Sequence, residues 1–389
     1  MRRRQRILVV LGILGGIIAG VVVLTATSME ARGPISSLLE RSASAFGAIE
    51  HAIRRRVTGS ARAERLAWLK RDSVEFLKSP NRVLFGAYDD GIPQTLDGVI
   101  DLEQQLGTTF SLVHFYTAWG DKPEQQFPLQ LATAIWDLGS VPVVTWEPWL
   151  DDFESVTHSN LPLRGKRDFH GLSGVARGDY DFYIDEWAKD AARFRHPLFL
   201  RFAHEMNDPY RYPWGPQNNS KEEYIAAWKH VVGRFRAAGA NNVIWVWSPH
   251  VAYEYWDLYY PGAQYVDWIG TGALNYGPIA YWSKWWRFDE IFGQKYPQMS
   301  SFGKPIMIAE IGSLAVGGNR EEWYRAALDD LVKKHPAVRA ILFFNKRNDQ
   351  TVTSQKIDWT IVGDSTLART IGAGIRRLSR PMPVDSARR

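Results

Sequence analysis

The sequence predicts an α/β fold, a (β/α)8 TIM barrel, preceded by an N-terminal transmembrane or signal helix and a juxtamembrane helical segment. Three observations carry this. Eight short apolar or aromatic runs alternate with helical runs between residues 80 and 378, the order that builds a barrel of parallel strands. Several of these runs are apolar throughout, as strands covered on both faces are. The first residues stand apart, with Arg2, Arg3, Arg4 and Arg6 crowding before an unbroken apolar stretch, 7–24.

That stretch comes first in the chain. As a helix it spans roughly 27 Å, close to the hydrocarbon thickness of a bilayer. Its arginines predict that the N-terminus stays in the cytoplasm and the rest is translocated. A retained anchor is expected because the run is long for a signal peptide; the competing reading is cleavage near Ala26 and Ser28. Both put the barrel outside the cytoplasm, as a single-pass membrane protein or, after cleavage, a secreted one. Gly12, Gly16 and Gly20 recur every four residues, a spacing that permits close helix–helix contact in a transmembrane dimer. Residues 29–79 read as a juxtamembrane helical linker. The barrel is expected over 80–378, with a basic tail at 379–389.

Within the barrel the strands are expected at 83–88, 110–116, 141–146, 197–204, 243–248, 266–271, 305–310 and 340–344. Helices are expected at 97–106, 129–138, 180–194, 222–238, 283–296, 320–334 and 364–378, and Gly107, Gly139 and Gly239 follow three of them as left-handed caps. An open doubly wound sheet is disfavoured. No Gly-x-Gly-x-x-Gly follows the first strand, and no phosphate-loop motif occurs.

Composition narrows the chemistry. The 389 residues include no cysteine, which excludes thiolate metal sites and a cysteine nucleophile. The net charge of +5 comes from basic ends around an acidic middle, so no nucleic-acid partner is expected. No His-Glu-x-x-His spacing is present, so no metal or other cofactor is expected. Seventeen Trp, 16 Tyr and 18 Phe suit a large core or stacking platforms for sugar rings.

A barrel of this kind carries its chemistry at the C-terminal ends of its strands. Those ends hold His114, Glu147, His204, Glu205, Asn207, Tyr276, Glu310 and Asn345. Glu205 ends the fourth strand and Glu310 the seventh, across the mouth from each other. Two carboxyls about 5–5.5 Å apart perform glycoside hydrolysis with retention, one as nucleophile and one as acid/base. Trp119, Trp146, Trp149, Trp214 and Trp247 are candidate sugar platforms, with core packing as the competing role.

The motifs resemble a known family. RFAHEMNDPYRYPWG (201–215) is similar to the acid/base segment of glycoside hydrolase family 26, usually of the form RFAHEMNGxWYPWG. EEYIAAWKHVVGRFRAAGANNVIWVWSPH (222–250), GKPIMIAEIGS (303–313) and FFN…IDWTI (343–361) resemble the segments that follow it. The resemblance covers about 80–375. It implies Glu205 as acid/base and Glu310 as nucleophile; His114, Trp119, Trp149, His204, Asn207, Trp214, Tyr276, Phe343 and Asn345 are the residues expected around the sugar. It further implies a β-linked polysaccharide or oligosaccharide as partner. The expected function is a retaining endo-β-glycanase acting on a β-mannan or β-1,3-1,4-glucan-like chain, the cell's own exopolysaccharide included. The alternative is a catalytically weak carbohydrate-binding or assembly protein on the same barrel.

The sequence also departs from the family. Leu274 stands where relatives carry a Tyr that supports the nucleophile, and Tyr276 is the expected substitute. Gly272 aligns with an Asp, Phe343 with the Trp under the sugar, and Asp208 with a Gly.

Overall fold

A computed structural model describes residues 62, 64–71 and 74–381. The apolar run 7–24, Gly12, Gly16, Gly20 and the end of the basic tail lie outside the described residues. Among the described residues no helix is long and apolar enough to cross a membrane.

Eight parallel strands close into a barrel in chain order. They are β1 (Leu84–Asp89), β2 (Leu112–Ala118), β3 (Val141–Glu147), β4 (Leu198–Phe202), β5 (Val243–Trp247), β6 (Trp268–Asn275), β7 (Ile306–Ser313) and β8 (Val338–Asn345). β1 closes the ring against β8, with Gly86 opposite Leu342. Alternation along each strand sorts side chains into two cores. Leu84, Leu112, Val143, Phe199, Val246, Met307 and Leu342 fill the interior. Phe85, Val113, Val144, Leu200, Ile308 and Phe343 point outward to the helices. The interior is tight at Gly86, where a Cβ would stand 2.5 Å from the Leu112 carbonyl oxygen.

Two short helices, α1 (Ala67–Arg71) and α2 (Val74–Lys78), come before β1. Leu69 and Leu77 join the interior core, and the Trp268 indole N–H donates to the Leu77 carbonyl at 2.9 Å. Arg62 reaches the same end, pairing with Glu103 at 2.7 Å and donating to the Leu138 and Phe110 carbonyls. The described residues of the stretch expected as a linker, 62, 64–71 and 74–79, therefore pack at the floor of the barrel.

The outer layer comprises α3 (Asp97–Leu106), α4 (Leu129–Asp137), α5 (Gly171–Arg177), α6 (Asp181–Phe194), α7 (Lys221–Ala237), α8 (Trp256–Tyr259), α9 (Tyr296–Ser301), α10 (Arg320–Lys333) and α11 (Ser365–Leu378). A capping box starts α7, where Ser220 accepts from the Glu223 N–H and Glu223 accepts from the Ser220 N–H. The helix expected at 283–296 begins only at Phe288 and is not a regular α-helix. A π turn at Asp289–Gly293 and the short α9 take its place. Pro297, in the first turn of α9, has no N–H for a helix continuing through it.

Two irregularities shape the mouth. The pairing of β7 slips against β6 at Thr271/Gly272 and against β8 between Ile308 and Ile311. Ile308 and Ile311 both face outward, so the bulge spends two residues, Ala309 and Glu310, on the inner side. β4 ends at Phe202, short of the expected 204, because Ala203 (φ 43°) and Glu205 (φ 54°) adopt the left-handed region.

Candidate active site

Glu205 owes its place to that turn. Left-handed backbone at a non-glycine residue costs about 1–3 kcal/mol and persists only where neighbours hold it. Here Ala203 N–H donates to the Trp146 carbonyl at 3.1 Å, and Glu205 N–H to the Ser248 carbonyl at 2.6 Å. The ends of β3 and β5 thus clamp the residue at the mouth.

Glu310 is built by the β7 bulge and met by Arg201 of β4 at 2.6 Å. Arg201 is buried, and its Nε donates to Thr145 Oγ1 at 2.7 Å. The Tyr116 hydroxyl of β2 adds a hydrogen bond to Glu310. Burial by itself would raise the Glu310 pKa; Arg201 and Tyr116 outweigh it and hold the carboxyl below its ordinary range. Arg201 and Arg211 each lie in the field of both Glu205 and Glu310, so one pocket holds both carboxyls.

A third carboxylate, Glu147, ends β3. It accepts from the Trp149 indole N–H at 3.2 Å. Burial pushes its pKa up to about 7, against the opposing effects of Trp149 and Arg201. His114 and His204 are held neutral by burial and by Arg201. Thr145 Oγ1, which accepts from Arg201, also meets His114 Nε2 at 2.7 Å. His204 Nε2 meets the Tyr212 hydroxyl at 3.0 Å.

Not every expected sugar ligand lines the pocket. Trp119 is 0% exposed and packs on Trp146 and Phe202 between barrel and helices, so it offers no face to a sugar. Trp146 and Trp247 are equally enclosed. Trp214 lies under Tyr212, ring centroids 4.6 Å apart at 11°, and its N–H donates to the His204 carbonyl. Phe343 points outward against Phe85 and Phe110; its neighbour Phe344 turns to the mouth, beside Tyr88 and Trp359. Asn345 spends its amide on Asp89 (2.7 Å) and its oxygen on the Ile361 N–H. Asn207 ties the loop after β5, bonding the His250 and Tyr253 carbonyls and the His250 N–H. Trp149 is half-buried at the rim. Tyr276 packs edge-on against Trp282 and Trp359, and the hydroxyl that steadies Glu310 is that of Tyr116 instead. Arg211 was not singled out by sequence reasoning, and Tyr116 only as a residue of a strand end. For Tyr116 the signal was its i+2 spacing from His114 on one strand face.

Among the described residues, Glu205, Asp208 and His250 bring potential metal-ligand atoms within 4.8 Å of one another. Asp208 accepts from the Tyr210 N–H at 2.8 Å, and His250 Nδ1 accepts from the Ala252 N–H at 3.1 Å.

A family model for glycosyl hydrolase family 26 matches residues 178–336, the span that contains both Glu205 and Glu310. Endoglucanase H of Acetivibrio thermocellus is 31% identical over 289 residues, 69% of this chain and 30% of the relative. The segment 178–336 belongs to glycosyl hydrolase family 26. Another relative, mannan endo-1,4-beta-mannosidase of Bacillus subtilis, is 28% identical over 202 residues, half of this chain and 49% of its own length. The chain thus spans less than half the length of the curated relatives it matches. A solved family 26 beta-mannanase from Bacteroides ovatus superposes with a TM-score of 0.59 at 17% identity, covering 81% of this chain and 97% of that one. That likeness shows the shared barrel.

Proposed function

We propose that the protein is a retaining endo-β-glycanase with Glu310 as nucleophile and Glu205 as acid/base. One observation carries the assignment of roles: Glu310, though buried, is held ionised by Arg201 and Tyr116, which is the state a nucleophile needs. In the first step a Glu310 oxygen bonds the anomeric carbon, the glycosidic C–O bond breaks, and Glu205 gives its proton to the leaving oxygen. In the second, Glu205 takes a proton from water, the water oxygen bonds the anomeric carbon, and the Glu310 ester opens. His114 and His204, neutral and buried, keep positive charge away from the sugar hydroxyls.

The substrate is a β-linked backbone of the mannan or mixed-linkage glucan type, in keeping with the names of the relatives. Arg2, Arg3, Arg4 and Arg6 ahead of the run 7–24 support a membrane-held enzyme outside the cytoplasm, placed to act on exported polysaccharide.

The test is hydrolysis of β-mannan, mixed-linkage glucan and β-1,3-xylan by the full chain, with proton NMR of the first anomer formed. The expected result is a β anomer first, loss of turnover in Glu310→Ala and Glu205→Ala, and labelling of Glu310 by a 2-fluoro glycoside. An α anomer first, or no labelling and no turnover on any polymer, overturns the proposal.

A further inference from the structure

Glu205 has neighbours that a plain proton donor does not need. Arg211 Nη1 stands 3.4 Å from Glu205 Oε2. On the other oxygen, His250 Nε2 stands 3.9 Å from Oε1. His250 Nδ1 accepts from the Ala252 N–H, so the proton of the neutral ring sits on Nε2. Two N–H donors therefore flank the carboxylate, from the loops after β4 and β5. The glycosidic oxygen must lie against the acid/base, so the departing sugar meets the groups around it.

The Arg211 contact is loose. It is 0.8 Å longer than the 2.6 Å pair of Arg201 with Glu310. The Arg211 side chain is 27% exposed and that of Glu205 9%. A guanidinium carries five N–H donors in a planar fork; on Arg211 one donates to Glu205, the group lies 5.0 Å from the Tyr212 ring centroid, and about a quarter of the side chain stays exposed. The loop that carries it is also where the chain departs from the family form. Between Asn207 and Tyr212 that form has Gly-x-Trp, and here stands Asp208-Pro209-Tyr210-Arg211, one residue longer and ending in a cation. Asp208 is buried and bonded to the Tyr210 N–H, so it shapes the loop and leaves Arg211 as the charge presented outward.

A sugar hydroxyl takes a single hydrogen bond from such a cation, whereas a carboxylate or comparable acid matches its fork with two charge-assisted bonds. That pairing also draws Arg211 off Glu205 and frees the acid/base to pass on its proton. We infer that the sugar on the leaving side of the scissile bond carries an acidic group, a uronate or an acid-substituted hexose, that Arg211 reads. The inference rests on the glycanase reading and names its substrate class.

The experiment uses mixed-linkage glucan and glucomannan partly oxidised at C6 to uronate, with their untreated parents, and the full chain as wild type, Arg211→Gln and Arg211→Lys. Cleavage turns the leaving-side sugar into the new non-reducing end, so the composition of those ends reports which sugar was there. The expected result is about fivefold or greater enrichment of uronate at new ends over the bulk polymer, lost in Arg211→Gln and partly kept in Arg211→Lys. New ends that mirror or under-represent the bulk uronate, or an enrichment unchanged in Arg211→Gln, overturn the inference alone. No new ends from either oxidised polymer or its parent sinks the glycanase reading and the inference with it.

Discussion

Arg201 and Glu310 meet at 2.6 Å, a fully enclosed cation from β4 against a carboxylate that a bulge in β7 turns inward. Their pairing sets the pH range in which Glu310 is ionised. Arg201→Met leaves burial of Glu310 unopposed, so its pKa rises and the acid limb of kcat/KM moves to higher pH. The loss in kcat is expected at about 100-fold or more. Stability falls by about 3–5 kcal/mol, because one partner of a buried pair is left alone. A pH–rate profile with an unmoved acid limb would refute the link.

Tyr116 acts on Glu310 from the opposite strand to the family's usual tyrosine. Tyr116→Phe removes one hydrogen bond from the carboxylate and nothing from the packing against Tyr88 and His114. The expected effect is a drop of about 10–100-fold in kcat, KM nearly constant, and an acid limb displaced upward. Tyr276→Phe should change kcat by less than about threefold. The reverse ranking would return the role to Tyr276.

Glu147 makes stability depend on pH in an unusual direction. Burial raises its pKa in the folded chain to about 7, above the unfolded value of roughly 4.3. Between those values the folded state binds more protons than the unfolded, so stability declines as pH rises through the window and levels off above it. Glu147→Gln keeps an acceptor for the Trp149 indole and removes the titration. The variant should match the wild type at pH 4 and exceed it by about 3–4 kcal/mol at pH 8, read from urea midpoints. Parallel curves across that range would exclude Glu147 as the source.

Two tryptophans that read alike in sequence should behave differently. Trp119→Ala empties a core site and should cost about 3–5 kcal/mol. Trp149→Ala, at the rim, should leave the melting temperature nearly unchanged and raise KM several-fold. Denaturation curves and Michaelis plots on the two variants distinguish them, and a stable Trp119→Ala with raised KM would restore it as a platform.

The strands were legible because parallel strands covered on both faces need continuous apolar runs, and 83–88 or 305–310 satisfy that without help from context. Glu205 and Glu310 were legible as carboxylates ending such runs. Parity was harder to read. Phe343 and Phe344 are adjacent and chemically equal, and only pairing with β1 decides that Phe344 faces the mouth. The bulge beside Glu310 and the left-handed turn at Ala203 and Glu205 come from neighbouring strands, and no local signal announces them. Trp119 and Trp149 both follow strand ends; burial by α6 separates them, and burial is a property of the assembled barrel. Residues 64–78 show a helical period but not its target, because the surface they cover, Leu84, Leu112 and Trp268, is scattered along the chain.

The plug formed by Leu69 and Leu77 has a geometric consequence. The polypeptide arrives at the closed end of the barrel, and the cleft with Glu205 and Glu310 opens at the other. A long polymer can therefore lie across the top of the barrel without meeting the segments that carry Leu69 and Leu77.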